Sequence, residues 1–226
     1  MATKEFDEPA MATEVKICGL KTPETVDTAL DGGADYIGLV FFPRSPRHVD
    51  VATALKLADR ARGQAKIVAL FVDPDDKVLD DIVDKVQPDM VQLHGDESAP
   101  RVREIKRRLH LPVIKAIRVG SAVDAARALR YNESADLILF DAHPPKGASK
   151  PGGNGLSFDW HALDDVKDRM KFMLSGGLTA VNVGKAIAAT NAAAVDVSSG
   201  VESAPGVKDP ELIRGFLKAA KAAMPG

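Results

Sequence analysis

Apolar and polar positions along the chain repeat as a two-part unit: a short apolar run, a few polar residues, then a stretch with helical periodicity. The runs are VKICGL (15–20), YIGLVFF (36–42), KIVALFV (66–72), MVQLHG (90–95), VIKAIRV (113–119), LILFDA (137–142), FMLSGG (172–177) and AVDVSSG (194–200). Between them lie PETVDTALDGG, DVATALKLADRAR, DDKVLDDIVDKV, SAPRVREIKRRL, SAVDAARALRY, FDWHALDDVKD and TAVNVGKAIAAT, and DPELIRGFLKAAKAA closes the series. Thr22 before Pro23 and Asp209 before Pro210 are helix starts, a capping side chain followed by proline at the first helical position. Strict alternation predicts parallel strands joined by crossover helices. Eight units predict an α/β fold of the closed (β/α)8 TIM barrel type, with an open doubly wound sheet as the alternative.

No linker, low-complexity tract or break in composition divides residues 15–226, which are expected to form one barrel domain. Residues 1–14 are expected to be a flexible N-terminal extension. MAT occurs twice within thirteen residues, so Met11 is a candidate start and residues 1–10 are expected to play no part in function.

The composition narrows the setting. With 45% apolar residues in 226 positions the chain can bury a sizeable core. Thirty basic against 32 acidic residues give no electrostatic case for nucleic acid or membrane. No apolar run approaches the ~18 residues of a membrane span, and the polar N-terminus is not a secretory signal. One cysteine forbids an internal disulfide, which favours a reducing, cytoplasmic location.

Chemistry in such a barrel belongs at the C-terminal ends of the strands, and several polar residues fall there. Cys18 ends the first strand, sharing a face with Lys16 and Leu20; by itself it reads as a small packed side chain. Gln92 and His94, two apart, share a face of the fourth strand. Asp141 closes a run of four apolar residues, where a carboxylate without a partner or a task is costly. Gly176 and Gly177 stand between the seventh strand and a helix start, and Asp196, Ser198 and Ser199 end the eighth. Free N–H groups at a helix start and glycines that admit close approach suit a phosphate, the alternative being a pair of tight turns. KGASKPGGNGLSFDW (146–160) has the length and glycine content of a lid, expected over 146–157. There is no H-E-x-x-H, paired-cysteine zinc spacing, Walker loop or G-x-S-x-G elbow, and no metal site is expected.

Taken together, KICGL (16–20), GLVFFPRSPRHV (38–49), VQLHGDE (91–97), LFDA (139–142), GGNGLSFDW (152–160), LSGGL (174–178) and VDVSSGVESAPGVKD (195–209) resemble the phosphoribosylanthranilate isomerase family of tryptophan biosynthesis. The resemblance spans about residue 15 to the C-terminus. It implies an Amadori rearrangement of a phosphoribosylated aromatic amine, with Asp141 as the general acid and Cys18 as the general base, and no cofactor. It also implies that Arg47 holds the anthranilate carboxylate, with Arg44 the competing neighbour. Gly176, Gly177, Ser198 and Ser199 would hold phosphate. Gln92 and His94 would contact ligand or orient Asp141, or serve structure alone; Asp196 would lie near the sugar or be structural. Cys18 must be thiolate part of the time, and electropositive loops are expected to lower its pKa. The implied partner is a small phosphosugar, acted on by a monomer. Other phosphosugar barrels, or an inactive binding barrel, are the rivals.

Overall fold

The computed structural model describes residues 13–143 and 157–223. The expected extension up to residue 12 and nearly all of the expected lid lie outside them. Eight strands, β1 (Glu14–Cys18), β2 (Tyr36–Val40), β3 (Lys66–Phe71), β4 (Met90–Leu93), β5 (Val113–Val119), β6 (Leu137–Ala142), β7 (Phe172–Leu174) and β8 (Ala194–Val197), pair in parallel in that order. β8 returns to pair with β1, Lys16 opposite Asp196, so the barrel is closed and the open-sheet alternative falls away. The barrel begins earlier than expected: Thr13 is buried, and the Glu14 amide donates to the Ala193 carbonyl at 3.1 Å.

Helices α1 (Pro23–Asp31), α2 (Val51–Ala61), α3 (Asp76–Val86), α4 (Ala99–Leu109), α5 (Ala122–Ala126), α6 (Val183–Thr190) and α7 (Pro210–Lys221) cover the outside. Thr22 and Asp209 cap α1 and α7 with the following proline in the first turn, as the sequence predicts. Strict alternation does not hold throughout. α5 is one short turn that tightens into a 3-10 helix over Arg127–Tyr131. Where FDWHALDDVKD predicted a helix, the described chain has only 3-10 turns at Trp160–Leu163 and Lys167–Arg169. The apolar positions there, Trp160, Leu163 and Val166, recur every three residues. That spacing stacks one face of a 3-10 helix and drifts around an α-helix. After β8 a small antiparallel hairpin, β9 (Glu202–Ala204) and β10 (Val207–Lys208), was absent from the predicted pattern because such short strands carry no periodicity.

Side chains alternate across the strands. Ile17, Ile37, Val91, Phe140 and Val195 face outward into the main core with the helices. Tyr36, Val68, Met90, Ile114, Leu139, Met173 and Ala194 fill the barrel's interior. Above them Cys18, Val40 and Leu70 form a smaller cluster at the C-terminal mouth. The opposite, N-terminal mouth is clipped by a repeated device. Asp35, Asp89 and Asp136 immediately precede β2, β4 and β6, and each accepts the first free amide of the strand before it. These bonds run from Val15 (2.7 Å), Ile67 (2.7 Å) and Val113 (2.8 Å).

Candidate active site

Cys18 is the last residue of β1, and Gly19, at φ 83°, turns the chain there. That turn redirects Leu20 into the outer core beside Ile17, so Leu20 does not share the Cys18 face as the alternation predicted. Lys16 does. Its ammonium, fully buried, donates to Asp196 Oδ1 at 2.8 Å, while Ser175 Oγ donates to Asp196 Oδ2 at 3.0 Å. Burial works against charge on Lys16, but Asp196 and Cys18 outweigh it and hold the ammonium above its ordinary range. For Cys18, burial pushes the thiol up, Lys16 and then Lys208 pull it back, and Asp196 opposes them. The net direction is upward, against the expected lowering, because the mouth removes more hydration than its cations return.

Across the mouth, Asp141 accepts the Ala142 amide on Oδ1 at 2.9 Å, and Oδ2 lies 3.1 Å from His94 Nε2. Gln92 Nε2 stands 2.9 Å from His94 Nδ1. The imidazole bridges Gln92 to Asp141 through its two ring nitrogens. The three residues that the sequence placed on two different strands thus form one buried chain of hydrogen bonds. On the outer face of β5, Lys115 donates to Glu97 Oε2 and the Gly95 carbonyl, both at 2.8 Å, and Glu97 Oε1 accepts from the Asp73 and Gly95 amides. That buried pair shapes the loop carrying His94.

Arg44 is exposed, whereas Arg47 is buried. Its guanidinium forks onto Glu202, Nε to Oε1 at 2.6 Å and Nη2 to Oε2 at 2.8 Å. Its methylenes lie over Gly19, where a Cβ would stand 2.7 Å from Arg47 Cδ. Lys208 donates to Glu202 Oε1 at 2.9 Å and to the Ser198 carbonyl at 2.7 Å. Burial opposes charge on Glu202, yet Arg47 and Lys208 draw its carboxyl down to about 2. Burial lowers Lys208 to about 8 despite Glu202. Ser198 Oγ donates to the Cys18 carbonyl at 3.2 Å, so this hydroxyl ties β8 to β1.

Gly176 and Gly177 have left-handed backbones, φ 91° and 63°. A Cβ on Gly176 would meet the Ala142 amide nitrogen at 2.5 Å, so this glycine lets the loop after β7 close against the residue beside Asp141. Asn182 joins the loop to the start of α6, accepting the Thr179 amide and donating to the Gly177 carbonyl. Ser199 opens a 3-10 turn, Ser199–Val201, and Gly200 abuts the Leu178 carbonyl, so the loops after β7 and β8 are packed together. Among the described residues no group of three or more His, Cys, Asp or Glu is disposed to hold a metal ion.

Lys16, Ser175, Glu202 and Lys208 were missed as site residues in the sequence reading. Lys16 had a signal: a lysine inside an apolar strand run has to be paired. Ser175 meets Asp196 only through the pairing of β7 with β8, and Glu202 and Lys208 reach the mouth only when the hairpin folds back over it.

A closed (β/α)8 barrel with a thiol, a carboxyl and paired loops at its C-terminal mouth defines a barrel enzyme whose chemistry sits at that end. Residues 15–219 match the family model for N-(5'-phosphoribosyl)anthranilate (PRA) isomerase. The N-(5'-phosphoribosyl)anthranilate isomerase of Rhodopseudomonas palustris (strain BisA53) is 58% identical over 212 residues, covering 94% of this chain and 97% of that protein. The crystal structure of phosphoribosyl anthranilate isomerase from Thermotoga maritima superimposes with a TM-score of 0.83 at 38% identity, covering 92% and 98%. A crystal structure of phosphoribosyl anthranilate isomerase in complex with reduced 1-(o-carboxyphenylamino)-1-deoxyribulose 5-phosphate gives 0.81 at 37% identity, with the same coverage. The chain belongs to the N-(5'-phosphoribosyl)anthranilate isomerase family.

Proposed function

We propose that the protein converts N-(5'-phosphoribosyl)anthranilate to 1-(2-carboxyphenylamino)-1-deoxyribulose 5-phosphate by an Amadori rearrangement, in tryptophan biosynthesis. The observation that carries this reading is the pairing of Cys18 and Asp141 at the ends of β1 and β6, facing one mouth of a chain in this family. Asp141 gives its proton to the furanose oxygen as the C1'–O bond breaks, leaving a protonated Schiff base between C1' and the anilino nitrogen. Cys18, as thiolate, takes the C2' proton, and the electron pair released moves to form the C1'=C2' bond of an enolamine. Protonation at C1' and loss of the C2' hydroxyl proton yield the ketone. The substrate nitrogen is the electron sink, so the scheme needs no cofactor.

His94, with Gln92 behind it, orients Asp141. Arg47 binds the anthranilate carboxylate by exchanging part of its Glu202 contact for the ligand, since a guanidinium fork suits either carboxylate. The loops around Gly176, Gly177, Ser198 and Ser199 hold phosphate, through backbone N–H groups at Ser198, whose hydroxyl is engaged. Asp196 supports the site from below, through Lys16. The enzyme works as a cytoplasmic monomer with the barrel as its one catalytic domain, and protein beginning at Met11 should keep full turnover. The deciding test is loss of phosphoribosylanthranilate fluorescence on addition of purified protein. A rate matching the buffer blank would return the chain to a generic phosphosugar barrel.

A further inference from the structure

The proposed reaction uses a thiol that burial has made harder to ionise, and leaves unexplained the buried lysine beneath it. We infer that Lys16 is a positioning residue for the reaction: its ammonium, fixed beside Cys18 by Asp196 and by the missing side chain at Gly38, keeps the thiolate available as base.

Three observations support this. A Cβ at Gly38, on the neighbouring strand, would stand 2.9 Å from Cys18 Sγ and 3.1 Å from Lys16 Nζ. The two atoms therefore share one small space, within about 6 Å of each other, the range in which opposite charges shift a titration by about 1–3 units. Second, Lys16 is fully buried and its ammonium is anchored at 2.8 Å by Asp196, itself held by Ser175. Third, the charged groups acting on Cys18 have unequal and opposed effects. Lys16 on its own strand favours the thiolate most, Lys208 on β10 favours it less, and Asp196 on β8 opposes it; Glu202 and Arg47 stand behind Lys208. A lysine and aspartate kept only to fill the interior could be replaced together by apolar side chains without leaving a buried charge.

This inference rests on Cys18 being the base, but its test does not. Cys18 is the only cysteine, so its ionisation can be followed by ultraviolet thiolate absorbance, with the Cys18→Ser protein as blank. Lys16→Met should raise the Cys18 midpoint by about one pH unit or more, and Asp196→Asn should lower it. The acidic limb of kcat/KM against pH should move upward with the midpoint in Lys16→Met. If Lys16→Met does not fold, Lys16→Met/Asp196→Asn, which removes both buried charges, should still titrate above the unsubstituted protein. An unmoved midpoint in Lys16→Met, a shift of the same sign in both single variants, or a double variant at or below the starting midpoint would overturn the inference. Near-normal turnover by Cys18→Ser would remove the base assignment and leave the titration result standing, so the two ideas fail separately.

Discussion

The two mouths of the barrel are built from the same strands and use aspartate for opposite ends. At the N-terminal mouth Asp35, Asp89 and Asp136 each cap one strand amide, stay close to solvent, and repeat with the (β/α) unit. At the C-terminal mouth Asp141 and Asp196 are buried, each sits in a network found once, and their partners are His94, Lys16 and Ser175. A carboxylate near water costs little and closes an edge. One taken out of water is retained where its charge or proton has a task. The contrast separates stability from chemistry along the barrel axis.

Substitutions can break this division. The largest effect expected is at the C-terminal mouth: Asp141→Asn, and likewise Cys18→Ser, should cut kcat by about 10³-fold, with the unfolding midpoint nearly unchanged. A variant of either kind with full turnover would remove that residue's role. Next, Asp89→Ala should cost about 1–3 kcal/mol of stability by leaving the buried Ile67 amide without its acceptor. Its kcat/KM should hold; a matching loss of activity would show that the two mouths are not independent.

Glu202 connects the hairpin to the mouth and predicts an acid response. Its folded carboxyl lies at about 2, below the reference 4.5, so folding favours the ionised form. That contribution is present above about 4.5 and is lost as pH falls toward about 2. Glu202→Gln should be less stable at neutral pH and lose less between those values, as denaturant midpoints across pH would show. The smallest effect belongs to the barrel's exterior: Arg60 and Asp27 join α2 to α1 in the open, and Arg60→Ala should leave the midpoint within experimental scatter.

Periodicity failed in specific places. FDWHALDDVKD carried a helical pattern and folded as 3-10 turns at Trp160–Leu163 and Lys167–Arg169, because its three-residue spacing stacks on a 3-10 helix and drifts around an α-helix. The motif singled out Arg47, but nothing local indicated that Glu202, 155 residues away, would grip it. The raised Cys18 thiol was not foreseen either. Ionisation depends on how much water the mouth excludes, a property of all eight strand ends together.

Sequence alone determined the eight strands, their parallel order, the capped helix starts and the positions of Cys18, Asp141, Gln92 and His94 on strand faces. Those follow from hydrophobic period and local chemistry, which act over a few residues. What those residues touch follows from the closed barrel. Closure of β8 on β1 sets Asp196 against Lys16, the turn at Gly19 moves Leu20 away, and the β9–β10 hairpin carries Glu202 and Lys208 to the mouth. Charges interact through space, so the field around Cys18 exists only once the barrel has closed.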